Sequence, residues 1–216
     1  MDNLTNKTVI RSTSYSQDEI LKNIMALYVP EGFELDPTYS VGNFYKHIKQ
    51  PKYKFDIAPV KKDVVWADSV NLPIKDGAIG SILFDPPFLA TKGNVKGSRH
   101  KSNIIIKRFG YYNNMRTLWE YYKLSLQEFY RVLKEDGVLV CKIQDSVSSG
   151  KQFLSHVELI NQALGIGFYP KDVFVLLSKN VILSPKHNKQ VHARKFHSYF
   201  VVFIKKEHDI KYSTLL

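Results

Sequence analysis

The sequence predicts an α/β fold with a mainly parallel sheet. Short apolar runs of strand character alternate with patterns of helical spacing along most of the chain, the arrangement that builds parallel sheets. An acid also stands at or just after the end of four of those runs, at Asp36, Asp56, Asp68 and Asp85. In open α/β sheets ligands sit beyond the carboxyl ends of the strands, so the four acids are expected together on one rim. The 216 residues, 44% of them hydrophobic, suit one domain over 1–216 with a real core.

The elements follow in order. Ser16-Gln-Asp-Glu19 reads as a capping box that opens a helix over 17–28, and Pro30-Glu-Gly32 ends it. Phe33 to Leu35 is a short strand running into Asp36-Pro-Thr-Tyr-Ser-Val-Gly42, and a brief helix over 43–49 stops before Pro51. Strands follow at 53–56, 63–67 and 80–84. Residues 116–134 carry Leu118, Tyr122, Leu126, Phe129 and Leu133 at helical spacing. Asp136-Gly137 turns that helix into a strand over 138–143, and a helix over 151–164 is closed by Gly165 and Gly167. The last apolar runs are 173–177 and 199–204. Trp66, Trp119 and Cys141 read as core.

Composition narrows the function. Thirty-one Lys and Arg against twenty Asp and Glu give a net charge of +11, which favours a polyanionic partner, nucleic acid before others. One cysteine, Cys141, excludes a disulfide framework and a Cys-rich zinc site and fits a reducing compartment. The stretch MDNLTNKTVIRSTS has no apolar core of signal-peptide length, and no run reaches the ~18 apolar residues of a membrane helix. The expectation is a cytoplasmic protein with no membrane span.

The run Ser81-Ile-Leu-Phe-Asp-Pro-Pro-Phe-Leu89 carries the chemistry. Two prolines fix φ and supply no N–H donors, so the Asp85 carboxylate and the Pro86 carbonyl form a pair of acceptors beside the flat ring of Phe88. Such a site suits a planar molecule with an exocyclic NH2. Acceptors on the amine hydrogens favour a tetrahedral nitrogen and free its lone pair for attack. Stacking on an aromatic ring is worth ~1–3 kcal/mol per base, comparable to the few kcal/mol needed to pull a base from its stack. Upstream, Asp56 lies twenty residues after Asp36, near the spacing of an acid that takes ribose hydroxyls in nucleotide-binding units. Gly42 is the one glycine of the loop between them, which fits a cofactor bearing adenosine but no phosphate.

Asp85-Pro-Pro-Phe88 after an apolar strand resembles motif IV of the amino-methyltransferases that use S-adenosylmethionine. Their commonest members with Asp first are DNA adenine-N6 methyltransferases. Asp36-Pro-Thr-Tyr-Ser-Val-Gly42 is similar to the family's cofactor loop, Asp-Pro-Phe-x-Gly-x-Gly. Asp36, Pro37 and Gly42 match; Thr38 and Ser40 do not, and Ser40 replaces a glycine. The resemblance spans roughly residues 30–205. It implies a Rossmann-like class I methyltransferase fold, with a mainly parallel seven-stranded sheet, helices on both faces and one antiparallel strand among the final runs. It further implies that Asp36, Pro37, Thr38, Ser40 and Gly42 hold S-adenosylmethionine, that Asp56 takes its ribose, and that Asp68 with Ser69 takes its adenine. Asp85, Pro86, Pro87 and Phe88 become the catalytic motif of a small stand-alone enzyme of phage or bacterial type.

Two basic segments are read as substrate contacts. Residues 89–118 follow the catalytic motif as a basic loop with no acid, and Lys92, Lys96, Arg99, Lys101, Lys107 and Arg108 are placed on phosphates. The second segment, 179–206, also lacks acids, and Lys186, Lys189, Arg194 and Lys195 are read the same way. His187, His192 and His197 lie five apart, but no Cys or acid joins them, so no metal is expected. Gln144 and Asp145 end the fifth strand, either lining the pocket or capping the next helix. The chain is expected to lack a large target-recognition domain, and to act as a monomer or homodimer. The leading expectation is a DNA adenine-N6 methyltransferase. An RNA methyltransferase acting on adenine N6 or guanine N2 is the nearest alternative, and a non-catalytic nucleic-acid-binding protein on a decayed methyltransferase fold is the second.

Overall fold

The architecture comes from a computed structural model that describes residues 9–88, 90, 112, 114–148, 150–179 and 191–210. In chain order it has β1 (Thr13–Ser14), α1 (Gln17–Tyr28), β2 (Leu35–Asp36), a 3-10 turn (Asn43–Tyr45), β3 (Tyr53–Asp56), β4 (Val65–Trp66) and β5 (Ile79–Phe84). There follow α2 (Met115–Val132), β6 (Leu133–Ile143), β7 (Ser146–Ser148), β8 (Lys151–Phe153), α3 (Ser155–Ile166), β9 (Phe168–Leu177) and β10 (His197–Lys205).

The main sheet runs β1-β9-β10-β6-β5-β2-β3-β4, with β10 antiparallel to both neighbours and the other pairs parallel. Seven strands were expected, and among the described residues the sheet has eight; the addition is the two-residue β1, which pairs with β9 at the edge. Helices cover both faces. On one, Leu118, Tyr122, Leu126 and Phe129 of α2 and Leu159 and Ala163 of α3 pack on Ile82, Phe84 and Cys141. On the other, Ile20, Leu21 and Ile24 of α1 join Phe44, Tyr45, Leu83 and Val140. Successive β5 residues thus feed opposite cores, which is why its sequence is apolar without alternation.

Helix α1 begins where the capping box places it, with the Ser16 hydroxyl accepting from the Glu19 amide at 3.3 Å. Other expectations are corrected. The helix over 43–49 is one 3-10 turn, because Phe44 and Tyr45 are drawn into the core. The helix expected from 151 starts at Ser155; residues 151–153 instead form a hairpin with β7, around Gly150 at φ +72°. Asp136-Gly137 is not a helix-to-strand turn but an irregularity within β6, which already begins at Leu133. Asp136 takes φ +58°, and a Cβ on Gly137 would lie 2.7 Å from the Lys134 carbonyl. Trp66 is not core: it is 67% exposed, since β4 is the sheet's outer strand. Cys141 is buried, and Trp119 is partly buried against Phe153. No helix among the described residues is long and apolar enough to cross a membrane.

Phe129 has no exposed surface and meets Phe84 edge-on at 4.8 Å between ring centres. Phe129→Ala is expected to cost about 3–5 kcal/mol, and Ser16→Ala about 1 kcal/mol, both read as a fall in the urea midpoint at constant slope.

Candidate functional site

The loop after β2 is organised by one buried carboxylate. Asp36 is 1% exposed. Its Oδ1 accepts from the Thr38 amide at 2.8 Å and hydroxyl at 3.4 Å, and its Oδ2 from the Tyr45 hydroxyl at 2.8 Å. Burial pushes its pKa up to about 7, with these hydrogen bonds opposing the shift and the Asp85 charge adding to it. The same Thr38 hydroxyl accepts from the Asp85 amide at 3.0 Å, so the loop and the strand-end motif are joined directly.

Ser40, where the similar loops carry glycine, adopts φ +52°. It therefore keeps the left-handed geometry that a glycine would supply, with its amide donating to Asp56 Oδ2 at 2.7 Å. Gly42 needs its lack of a side chain: at φ +75°, a Cβ would lie 2.5 Å from the Tyr39 hydroxyl oxygen. Asp56 is 3% exposed and also accepts from the Ala58 amide at 2.8 Å.

Beyond these strand ends lies a cavity bordered by Pro37, Thr38, Asp56, Asp68, Ser69 and Pro87, with Ile57, Tyr112 and Tyr121 completing its wall. Residues expected to act together from four separate loops meet here. Asp68 accepts from the Val70 amide at 3.2 Å. The Ser69 hydroxyl accepts from Tyr121 at 2.7 Å and lies 2.9 Å from the Ser125 hydroxyl. Burial raises the Tyr121 hydroxyl to about 12, so it remains a donor at neutral pH. Acceptor-only carboxylates and flat phenol rings fit a nucleoside, which offers vicinal hydroxyls and a planar base.

Asp85-Pro-Pro-Phe88 stands between this cavity and a second. Pro86 and Pro87 are buried, and Tyr122, itself fully buried in α2, donates to the Pro87 carbonyl. Asp85 is partly buried, which raises its pKa, while the Lys142 charge lowers it. Phe88 packs on the core and borders a cleft with Lys142, Gln144, Lys179 and His197. The Gln144 amide donates to the carbonyls of Lys195 and His197, which brings the start of β10 to the cleft. Arg194 is exposed and Lys195 partly buried just before it. Both readings of the β6 end hold, one for each residue. Gln144 lines the cleft, whereas Asp145 accepts from the His156 amide and ring at 3.3 and 2.7 Å, at the N-terminus of α3.

Asp36, Ser40, Gly42, Asp85 and Pro86 shape the site without bordering the first cavity. Lys92, Lys96, Arg99, Lys101, Lys107, Arg108 and Lys186, with Lys189 and His187, lie outside the described residues. His192 meets the Gly150 carbonyl and His197 the Tyr199 hydroxyl, each at 2.9 Å, and no three metal-ligating side chains cluster among the described residues. Ile57, Tyr121 and Lys142 were not singled out by any sequence signal, and Tyr112, within the basic segment read as a substrate contact, borders the first cavity. Tyr121 could have been found from its place beside Tyr122 on α2, whereas Lys142 looks like a strand interior.

A family model described as DNA methylase matches residues 79–214, which include Asp85 to Phe88 and both basic segments. A proposed sarcosine dimethylglycine methyltransferase from Galdieria sulphuraria is similar in structure at a TM-score of 0.53 and 12% identity, over 92% of this chain and 94% of that one. The likeness and the strand order are those of the Rossmann-like methyltransferase fold. A proposed DNA modification methylase from Thermus thermophilus, solved with S-adenosyl-L-methionine, gives a TM-score of 0.46 at 14% identity, over 67% of this chain and 55% of that one. The PvuII DNA methyltransferase, described as cytosine-N4-specific, gives 0.48 at 17% identity, over 65% and 48%. The chain therefore spans about half the length of these last two. Comparison with curated protein sequences finds no match.

The raised pKa of Asp36 sets a pH dependence of stability. The folded state holds this proton up to about pH 7, whereas an unfolded Asp releases it near ~4. Its contribution is thus fully present below ~4 and is lost as pH rises through about 7. Asp36→Asn is expected to flatten that decline and to raise stability at pH 8, measured by urea unfolding across the range without cofactor.

Proposed function

Since the chain belongs to the DNA methylase family whose model spans its residues 79–214, we propose that it methylates an exocyclic amine of a nucleic-acid base, adenine N6 in DNA. The observation that carries this reading is the Asp85-Pro-Pro-Phe88 turn standing between two cavities, one with nucleoside-like complementarity and one bordered by Phe88 and basic side chains. The Asp at the head of the motif favours adenine.

S-adenosylmethionine is the cofactor, and it supplies a methyl group activated by positive sulfur. Asp56 takes the ribose hydroxyls, and Asp68 with Ser69 and Tyr121 surrounds the adenine. In the cleft Phe88 stacks on the flipped base. Asp85 and the Pro86 carbonyl accept from its NH2, which turns the nitrogen lone pair toward the methyl group. The nitrogen–carbon bond forms as the sulfur–carbon bond breaks, and the proton then leaves the nitrogen for solvent. No strong base is required, because the amine becomes acidic once it carries the methyl group. Arg194 and Lys195 face the phosphates.

Labelled S-adenosylmethionine offered to duplex DNA and to total RNA tests the reading. Label in DNA recovered as N6-methyladenine is expected, with Asp85→Ala slower by on the order of 10²–10³-fold. Recovery as N4-methylcytosine would move the target base, and label in RNA alone would move the substrate class. Unchanged turnover in Asp85→Ala would refute the mechanism.

A further inference from the structure

Lys142 interrupts an otherwise apolar strand end on a central strand. Its place is set by register. β5 and β6 run parallel with Phe84 opposite Cys141, so the next residues, Asp85 and Lys142, are neighbours across the two strands. Phe84 and Cys141 belong to the core on one face, and Leu83 and Val140 to that on the other. By alternation Asp85 and Lys142 project to the same side as Leu83 and Val140. β2 puts Asp36 on the same side, level with Leu83, since Leu35 pairs with Ile82 and belongs to the first core.

The ammonium group is held in place. Its Nζ donates to Gln17 Oε1 at 3.0 Å, and it sits 5.1 Å from the centre of the Phe44 ring and 5.8 Å from that of Phe200. Lys142 and Phe88 border the same cleft.

We propose that Lys142 is a positioning residue whose fixed positive charge holds Asp85 in its ionised, acceptor-only form at neutral pH. The role rests on the proposed amine-methylation reading, because a protonated Asp85 would offer a donor where the amine needs an acceptor. Among the described residues, four titratable groups lie within electrostatic reach of Asp85. Lys142 from β6 favours its ionisation; Asp36 from β2, through burial and the Asp85 charge, keeps its own proton up to about pH 7; Tyr45 from the 3-10 turn and Tyr122 from α2 stay neutral phenols, held by burial well above their usual range. Burial thus pushes Asp85 toward protonation, and Lys142 is the cation opposing it.

Two readouts on the full chain test this. The first is the carboxyl carbon signal of Asp85 in protein labelled with ¹³C-aspartate, assigned through Asp85→Asn and followed against pH. Lys142→Met is expected to move its titration midpoint upward by about 1 to 3 units, and Lys142→Arg to restore it. The second is single-turnover methyl transfer to DNA, whose acid limb should move upward with the midpoint in Lys142→Met and return in Lys142→Arg. Should Lys142→Met fold poorly, Lys142→Gln takes its place, with cofactor binding as the check on folding. An unmoved midpoint overturns the proposal, as does lower activity at every pH with an unmoved acid limb. A shifted midpoint in a protein that transfers no methyl group leaves the charge pairing intact and refutes the enzymatic reading instead.

Discussion

The site hangs on the burial of the Asp36 carboxylate. A carboxylate taken from water costs several kcal/mol unless its lone pairs are occupied. Here the loop folds so as to occupy them. The Thr38 amide and hydroxyl and the Tyr45 hydroxyl converge on the two oxygens, which fixes the path of the chain from Asp36 to the 3-10 turn. Tyr45 then stacks on Tyr39 at 5.4 Å, and Gly42 is the residue that the tight return past Tyr39 permits. The Thr38 hydroxyl carries the constraint across the sheet to the Asp85 amide. The loop after β2 and the Asp85-Pro-Pro-Phe88 turn therefore share one hydrogen-bond system.

The prolines complete this rigidity from the other side. Their rings fix φ at consecutive positions, and the Pro87 carbonyl oxygen is taken by Tyr122 of the helical layer. Tyr122 belongs to the same buried cluster as Phe84 and Phe129, so the packing of α2 on β5 and the aim of the turn are one structural fact. A site prepared in this way loses little freedom on binding, which is how oriented acceptors lower a barrier without strong bases.

Much of this was legible in the sequence, and the gaps have physical causes. Helix α1, strand β3 and the apolar stripe of α2 stood out because periodicity and capping are local signals. The rim acids were legible because strand polarity places every carboxyl end on one side. Edge effects were not: Trp66 has a core composition but sits on an outer strand, and the hairpin over 146–153 depends on the left-handed turn at Gly150. The positive φ of Ser40 was hidden for another reason, since the loop demands that geometry and a serine tolerates it at a cost of roughly 1–2 kcal/mol. Lys142 was invisible because its meaning comes from a partner more than fifty residues away, Asp85.

The two acids at the heart of the rim are stabilised in different ways, and the difference matches the roles proposed for them. Asp36 is held by neutral donors, so burial still dominates and its carboxyl remains easily protonated near pH 7. A group in that state gains most from an arriving cation, and S-adenosylmethionine carries positive charge. In the proposed reading, cofactor binding and ionisation of Asp36 favour one another through the field of the bound cation. Asp85 has a cation built in beside it on the next strand. In the proposed reaction it accepts from a neutral amine, which brings no charge to assist ionisation. An acid that meets a cationic ligand can do without a resident counter-charge, whereas an acid that meets a neutral one needs it supplied by the fold.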